Sequence, residues 1–152
     1  MILVTCGTQQ QQFTRLFEYV EQLNIDDEVI MQLGHTQFNT RHQSYDFSTS
    51  FEEDIKRANI IITHGGVGTI MNGLLNNKKV IVVPRLSKYN EHVDDHQLEI
   101  TNKLTNLGYI YSANSFEELK KLIDNIDQLS FKPYISTNKE FNQKLNSLLE
   151  EL

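Results

Sequence analysis

Three glycines fall within four positions of IIITHGGVGTIMNGLL, the stretch from Ile60 to Leu75, directly after a β-branched run and directly before a helical apolar pattern. Gly65, Gly66 and Gly68 would let backbone N–H groups face a ligand with no Cβ in the way, and the positive end of the following helix dipole would reach the same spot. A phosphate suits such a turn. His64, at the end of the strand, could donate to a phosphate oxygen, and Thr69 offers a hydroxyl and a first-turn N–H. The plain alternative is a turn whose glycines serve only close packing. A dinucleotide fingerprint fits poorly, because Met71 stands where its third small residue should be and Pro84 to Lys88 supply no acid about 20 positions on. A P-loop is excluded, since no Gly-Lys-Ser/Thr follows.

A second polar cluster is NEHVDDHQLE, Asn90 to Glu99. Gln97 falls on an apolar stripe of Val93, Ile100 and Leu104, so its amide needs a partner. With a helix starting near Glu91, His96 and Gln97 would project at the carboxyl edge of a sheet, where hydroxyl-rich ligands accept directed hydrogen bonds. The alternative is a solvated acidic helix start favoured by the dipole. His92 and His96 have i, i+4 zinc spacing, but no Glu follows the first His and no third ligand is evident.

The elements that must position these groups read as an α/β chain. Met1 to Cys6, Ile60 to Ile62 and Val80 to Val83 are continuous apolar runs, the pattern of parallel strands covered on both faces. Glu28 to Leu33 reads as another strand, and Tyr45 to Phe47 as a weaker one. Phe13, Leu16, Phe17, Val20 and Leu23 define a first helix, with Thr8 as its expected N-cap. Ser50 and Glu53 make a capping-box spacing before a short helix ending near Ala58, and Ser115 with Glu118 repeat it before Phe116, Leu119, Leu122, Ile123 and Ile126. Gly108 closes the helix through Ile100, Leu104 and Leu107. Strands alternating with helices imply a parallel, doubly wound Rossmann-like sheet, with ligands at the carboxyl ends of its strands. The loops after Cys6 and Thr63, and the segment from Arg85 to Gln97, occupy that edge.

The 152 residues suit one domain over 1–130, followed by a linker and an amphipathic tail over 131–152 whose stripe is Phe141, Leu145, Leu148, Leu149 and Leu152. That stripe could fold onto its own domain or dock on a partner. A net charge of -6 argues against nucleic acid or an anionic membrane as a general partner. The single cysteine, Cys6, and a chain that opens directly as a strand point to the cytoplasm. No apolar run approaches the roughly 18 residues of a membrane span.

Taken in order, VTCGT, RANIIITHGGVGT, VIVVPR and NEHVDDHQ, over roughly Met1 to Ile126, resemble the C-terminal half of family 28 glycosyltransferases. The likeness is closer to the small separate subunit of two-chain UDP-sugar transferases, the type found in dolichol-linked oligosaccharide synthesis and in bacterial exopolysaccharide and capsule assembly. The resemblance implies one half of a GT-B enzyme, with UDP-sugar as donor, a lipid-linked acceptor, and a membrane-associated partner subunit supplying the other half. It implies that His64 and the backbone of Gly65, Gly66, Gly68 and Thr69 hold the diphosphate, and that Asp95, His96 and Gln97 contact sugar hydroxyls. Gly7 and Thr8 would face the cleft near the diphosphate or acceptor. Where related enzymes carry an acidic ribose ligand eight positions after the turn histidine, this chain has Asn72. The implied reaction is an inverting transfer without a metal or other cofactor, in which His64 and Asp95 are the catalytic candidates; His35 is a further candidate base. A non-catalytic enhancer subunit and a stand-alone nucleotide-binding dehydrogenase or epimerase are the competing functions.

Overall fold

A computed structural model of the chain describes residues 1–91, 96–135 and 143, with backbone alone at His96 and Gln97. The elements run β1 (Ile2–Thr5), α1 (Thr14–Gln22), β2 (Val29–Gln32), β3 (Gln43–Tyr45), α2 (Phe51–Arg57), β4 (Ile60–Thr63), α3 (Val67–Leu75), β5 (Lys79–Val82), α4 (His96–Asn106), β6 (Tyr111–Ser112) and α5 (Phe116–Asp124). All neighbouring strands pair in parallel, in the order β3-β2-β1-β4-β5-β6. The order reverses between β1 and β4, the place where doubly wound sheets open a crevice.

Strand alternation divides the core. Ile2, Val4, Met31, Ile62 and Ile81 pack on α1 and α5, whereas Leu3, Ile30 and Ile61 meet α2, and Val80 and Val82 meet α3 and α4. The expected α1 stripe, Phe13 to Leu23, is buried throughout. Two helix-end signals behave as read. Gly108, at φ +84°, ends α4, with the Tyr109 N–H reaching the Leu104 carbonyl. The Ser115 side chain accepts from the Glu118 N–H at 3.1 Å, while the Glu118 carboxylate accepts from the N–H of Asn114.

Other expectations fail for identifiable reasons. Thr8 does not cap α1, which begins at Thr14; the Phe13 N–H instead donates to Thr36 Oγ1, so the chain from 8 to 13 runs across the carboxyl edge before turning into helix. Ser50 occupies the N-cap position of α2 without capping, because its hydroxyl pairs with Ser48. Glu91 does not open α4. It is 4% exposed and turned inward, accepting from the Leu86 N–H and from Arg15. β3 lies two residues earlier than Tyr45 to Phe47, and β6 was not foreseen. Phe131 packs edge-on against Tyr111, Tyr134 against Tyr109, and the Lys132 N–H bonds the Gly108 carbonyl, so 131–134 lie on the domain. The apolar tail stripe lies outside the described residues.

Candidate functional site

His64 continues the central ladder by one residue, its N–H donating to the Thr5 carbonyl, and this sets its ring at the reversal point between β1 and β4. The side chain is buried, with two glycines making room for it. A Cβ on Gly7 would sit 2.3 Å from His64 Nε2, and one on Gly66 would sit 2.1 Å from Cε1. Gly7 also has φ +77°. Gly66 has an ordinary negative φ, so the ring alone demands glycine there. The Gly66 N–H donates to His64 Nδ1 at 3.1 Å, which fixes the proton of the neutral ring on Nε2.

α3 begins one residue later. Its first-turn N–H groups, at Val67, Gly68 and Thr69, have no partner within the helix and carry the positive end of its dipole. Among the described residues nothing lies within 4 Å of where a Cβ on Gly68 would be. Packing therefore does not require glycine at 68, and an approaching ligand would meet bare backbone. Gly73, by contrast, holds helix against sheet, since a Cβ there would lie 2.8 Å from Val80 Cγ2. Gly73 was not singled out from the sequence.

Beside the α3 start is a recess of about 240 Å³ lined by Thr5, Gly7, Thr8, Gln32, Phe47, Ser48, Phe51 and Thr69. Thr5 donates to Gln32 Oε1, and Gln32 Nε2 donates to the carbonyls of Asp46 and Gly7. Phe47 is 52% exposed and meets His35 edge-on on its other side. Gln32, Phe47, Ser48 and Phe51 were not singled out from the sequence. Their signals were a polar residue ending an apolar strand and an aromatic in a polar stretch. A larger groove, about 790 Å³, opens among Ile2, Asn24, Asp27, Asn59 and Lys79 at the amino ends of the strands. It lies away from the helix N-terminus and the glycine turn, and the carboxyl edge is where such sheets bind ligands.

Arg85 braces this edge from below. Fully buried, it donates to the carbonyls of Cys6, Gln11 and Glu91 and lies over the Phe13 ring. Burial pushes its pKa down, an effect partly opposed by Cys6 and Glu91. Arg15 forks onto the Glu91 carboxylate at 2.9 and 3.0 Å and also donates to the Pro84 carbonyl. Burial pushes the Cys6 thiol up, and Sγ donates to the Leu33 carbonyl at 2.9 Å, so Cys6 is a packed side chain and a poor nucleophile.

The structure thus brings together Gly7, Thr8, His64, Gly65, Gly66, Gly68 and Thr69. Asn72 lies one turn further along α3. Asp95 and the side chains of His96 and Gln97 lie outside the described residues, although the backbone of the latter two opens α4. Among the described residues no group of three or more His, Cys, Asp or Glu is placed to hold a metal, and no helix is long and apolar enough to cross a membrane.

Residues 1–152 match the family described as the glycosyltransferase family 28 C-terminal domain. The chain belongs to this family. The UDP-N-acetylglucosamine transferase subunit ALG13 of Candida glabrata is 30% identical over 129 residues, covering 82% of this chain and 62% of that protein. The chain therefore spans less than two thirds of that relative's length. The crystal structure of Acinetobacter baumannii MurG superposes with a TM-score of 0.61 at 20% identity, covering 83% of this chain and 42% of that one. An NMR structure of ALG13 gives a TM-score of 0.52 at 22% identity, covering 95% and 94%. The fold is the Rossmann-like α/β sheet that forms one half of a GT-B glycosyltransferase.

Proposed function

We propose that this family 28 domain is the donor-binding half of an inverting UDP-sugar transferase, completed by a membrane-associated partner that holds a lipid-linked acceptor, and that it works at the cytoplasmic face of the membrane. The observation that carries the reading is the His64 ring seated between Gly7 and Gly66 beneath the bare N-terminus of α3. Nε2–H and the first-turn N–H groups form a set of donors for a diphosphate, and the mainly apolar recess beside Thr69 has room for a pyrimidine base. Preorganised donors and a helix dipole stabilise the charge that develops on a departing UDP, so this chemistry asks for no metal. Locked through Nδ1, His64 acts as a donor to the leaving group. The acceptor hydroxyl loses its proton to another group, Asp95 or a residue of the partner, and the role of binding the sugar hydroxyls is assigned to Asp95, His96 and Gln97.

UDP should raise the unfolding midpoint of the chain, with a stabilisation of about 2.7 kcal/mol at 100 times its Kd. His64→Ala should reduce that protection. Transfer is assayed after co-expression with the partner, against a panel of UDP-sugars. Full transfer by a pair carrying His64→Ala would point instead to a non-catalytic enhancer subunit, and stabilisation by NAD in place of UDP to a different enzyme class. Chelation should leave transfer intact; loss restored by magnesium, manganese or zinc would overturn the metal-free chemistry.

A further inference from the structure

Asn72 lies three residues after Thr69 on α3, so it shares that face and sits about 4.5 Å further along the axis. Both ends of its amide are engaged. Nδ2 donates to the two carboxylate oxygens of Glu52 at 3.0 Å each, and Oδ1 accepts from Asn76 Nδ2 at 3.0 Å. Asn76 also donates to the Asn72 carbonyl, so the orientation of the amide is fixed from behind. Glu52 follows Phe51, a wall of the recess, and is exposed. The Glu52 carboxylate therefore stands beside the second turn of α3. Each oxygen has a lone pair left after the Asn72 contact, which makes Glu52 a paired acceptor with no donor capacity.

Resting on the donor-site reading above, we propose that Glu52, held in place by Asn72, accepts the ribose hydroxyls of the nucleotide and makes the site select ribonucleotides over deoxyribonucleotides. Carboxylates recognise ribose 2′-hydroxyls in this way in other doubly wound folds. Here the carboxylate comes from α2 instead of the helix that meets the phosphates. Asn72 is a positioning residue: its donors are spent on Glu52, and its oxygen is spent on Asn76.

Calorimetry with UDP and 2′-deoxy-UDP on the full chain tests this through one ratio, the Kd for 2′-deoxy-UDP over that for UDP. The parent ratio should be roughly 10 or more, the scale of a hydrogen bond to a charged acceptor. Glu52→Ala should bring the ratio to about 1 and Glu52→Gln to an intermediate value, while Asn72→Ala should lower it by loosening Glu52. A general loss of structure would weaken both ligands alike and leave the ratio unchanged. A parent ratio near 1, or a ratio that survives Glu52→Ala, overturns the assignment of Glu52. A ratio unchanged in Asn72→Ala overturns the positioning role. Failure of the parent to bind UDP at all removes the donor-site reading, and this inference with it.

Discussion

Gly66→Ala would place a Cβ 2.1 Å from Cε1, 2.8 Å from Nε2 and 2.9 Å from Nδ1 of His64. To reach a relaxed carbon contact of about 3.5 Å the ring must move about 1.4 Å, and Gly7 blocks its other side, where a Cβ would lie 2.3 Å from Nε2. The displaced ring also loses its bond from the Gly66 N–H. Overpacking of this kind costs about 1–3 kcal/mol and a neutral hydrogen bond about 1 kcal/mol, giving a loss of about 2–4 kcal/mol. For a domain of this size that lowers the unfolding midpoint by roughly 4–16 °C. UDP protection should fall as well, because a displaced ring distorts the proposed diphosphate site. Combining Gly66→Ala with His64→Ala separates the two effects: removing the ring removes the clash, so the double variant should be no less stable than His64→Ala alone, yet should not regain UDP affinity. Differential scanning calorimetry with and without UDP reads both quantities. A Gly66→Ala protein with parental midpoint and parental UDP affinity would refute the seating of the ring, and purely additive stability losses in the double variant would refute the contact.

Gly68→Ala should leave the unliganded protein as stable as the parent, or up to about 1 kcal/mol more stable, because its Cβ meets open space and alanine favours helix; titration calorimetry should show weaker UDP binding if the phosphates approach there. Glu91→Ala strands the largely buried Arg15 and should cost about 3–5 kcal/mol by urea unfolding. Glu21 contributes to acid sensitivity. Partial burial pushes its carboxyl up, but the Thr40 hydroxyl, the Arg41 N–H and nearby His42 and Arg41 outweigh this and hold it below the usual range. Its stabilisation is complete above the unfolded glutamate pKa of about 4.3 and is lost as pH falls through the lower folded value. Glu21→Gln should therefore flatten that part of the stability–pH curve measured by chemical unfolding.

Legibility from sequence tracked how strongly a residue's neighbours along the chain dictate its state. Ile60 to Thr63 had to be a covered strand, Gly108 a helix stop and Ser115 a cap, because each depends on contacts within a few residues. The glycine turn was legible for the same reason. β3 was displaced because Gln43 and Ser44 are exposed and carry no apolar alternation, and β6 is only two half-buried residues long. Thr8 and Glu91 were misplaced by partners far along the chain: Thr36 takes the Phe13 N–H across 23 positions, and Arg15 takes Glu91 across 76. The Glu52–Asn72 pair spans 20 positions and two helices, and nothing in either local segment announces it.

The guanidinium of Arg85 holds carbonyls from both sides of the central crevice, Cys6 and Gln11 on one and Glu91 on the other. Neither loop can open without stripping a buried cation of its acceptors, so the two share one opening event. Amide hydrogen exchange in residues 6–13 and 85–91 should accordingly proceed with a common opening free energy, well above that of ordinary surface loops. Such an edge is a single cooperative unit that the fold completes by itself, before any ligand arrives.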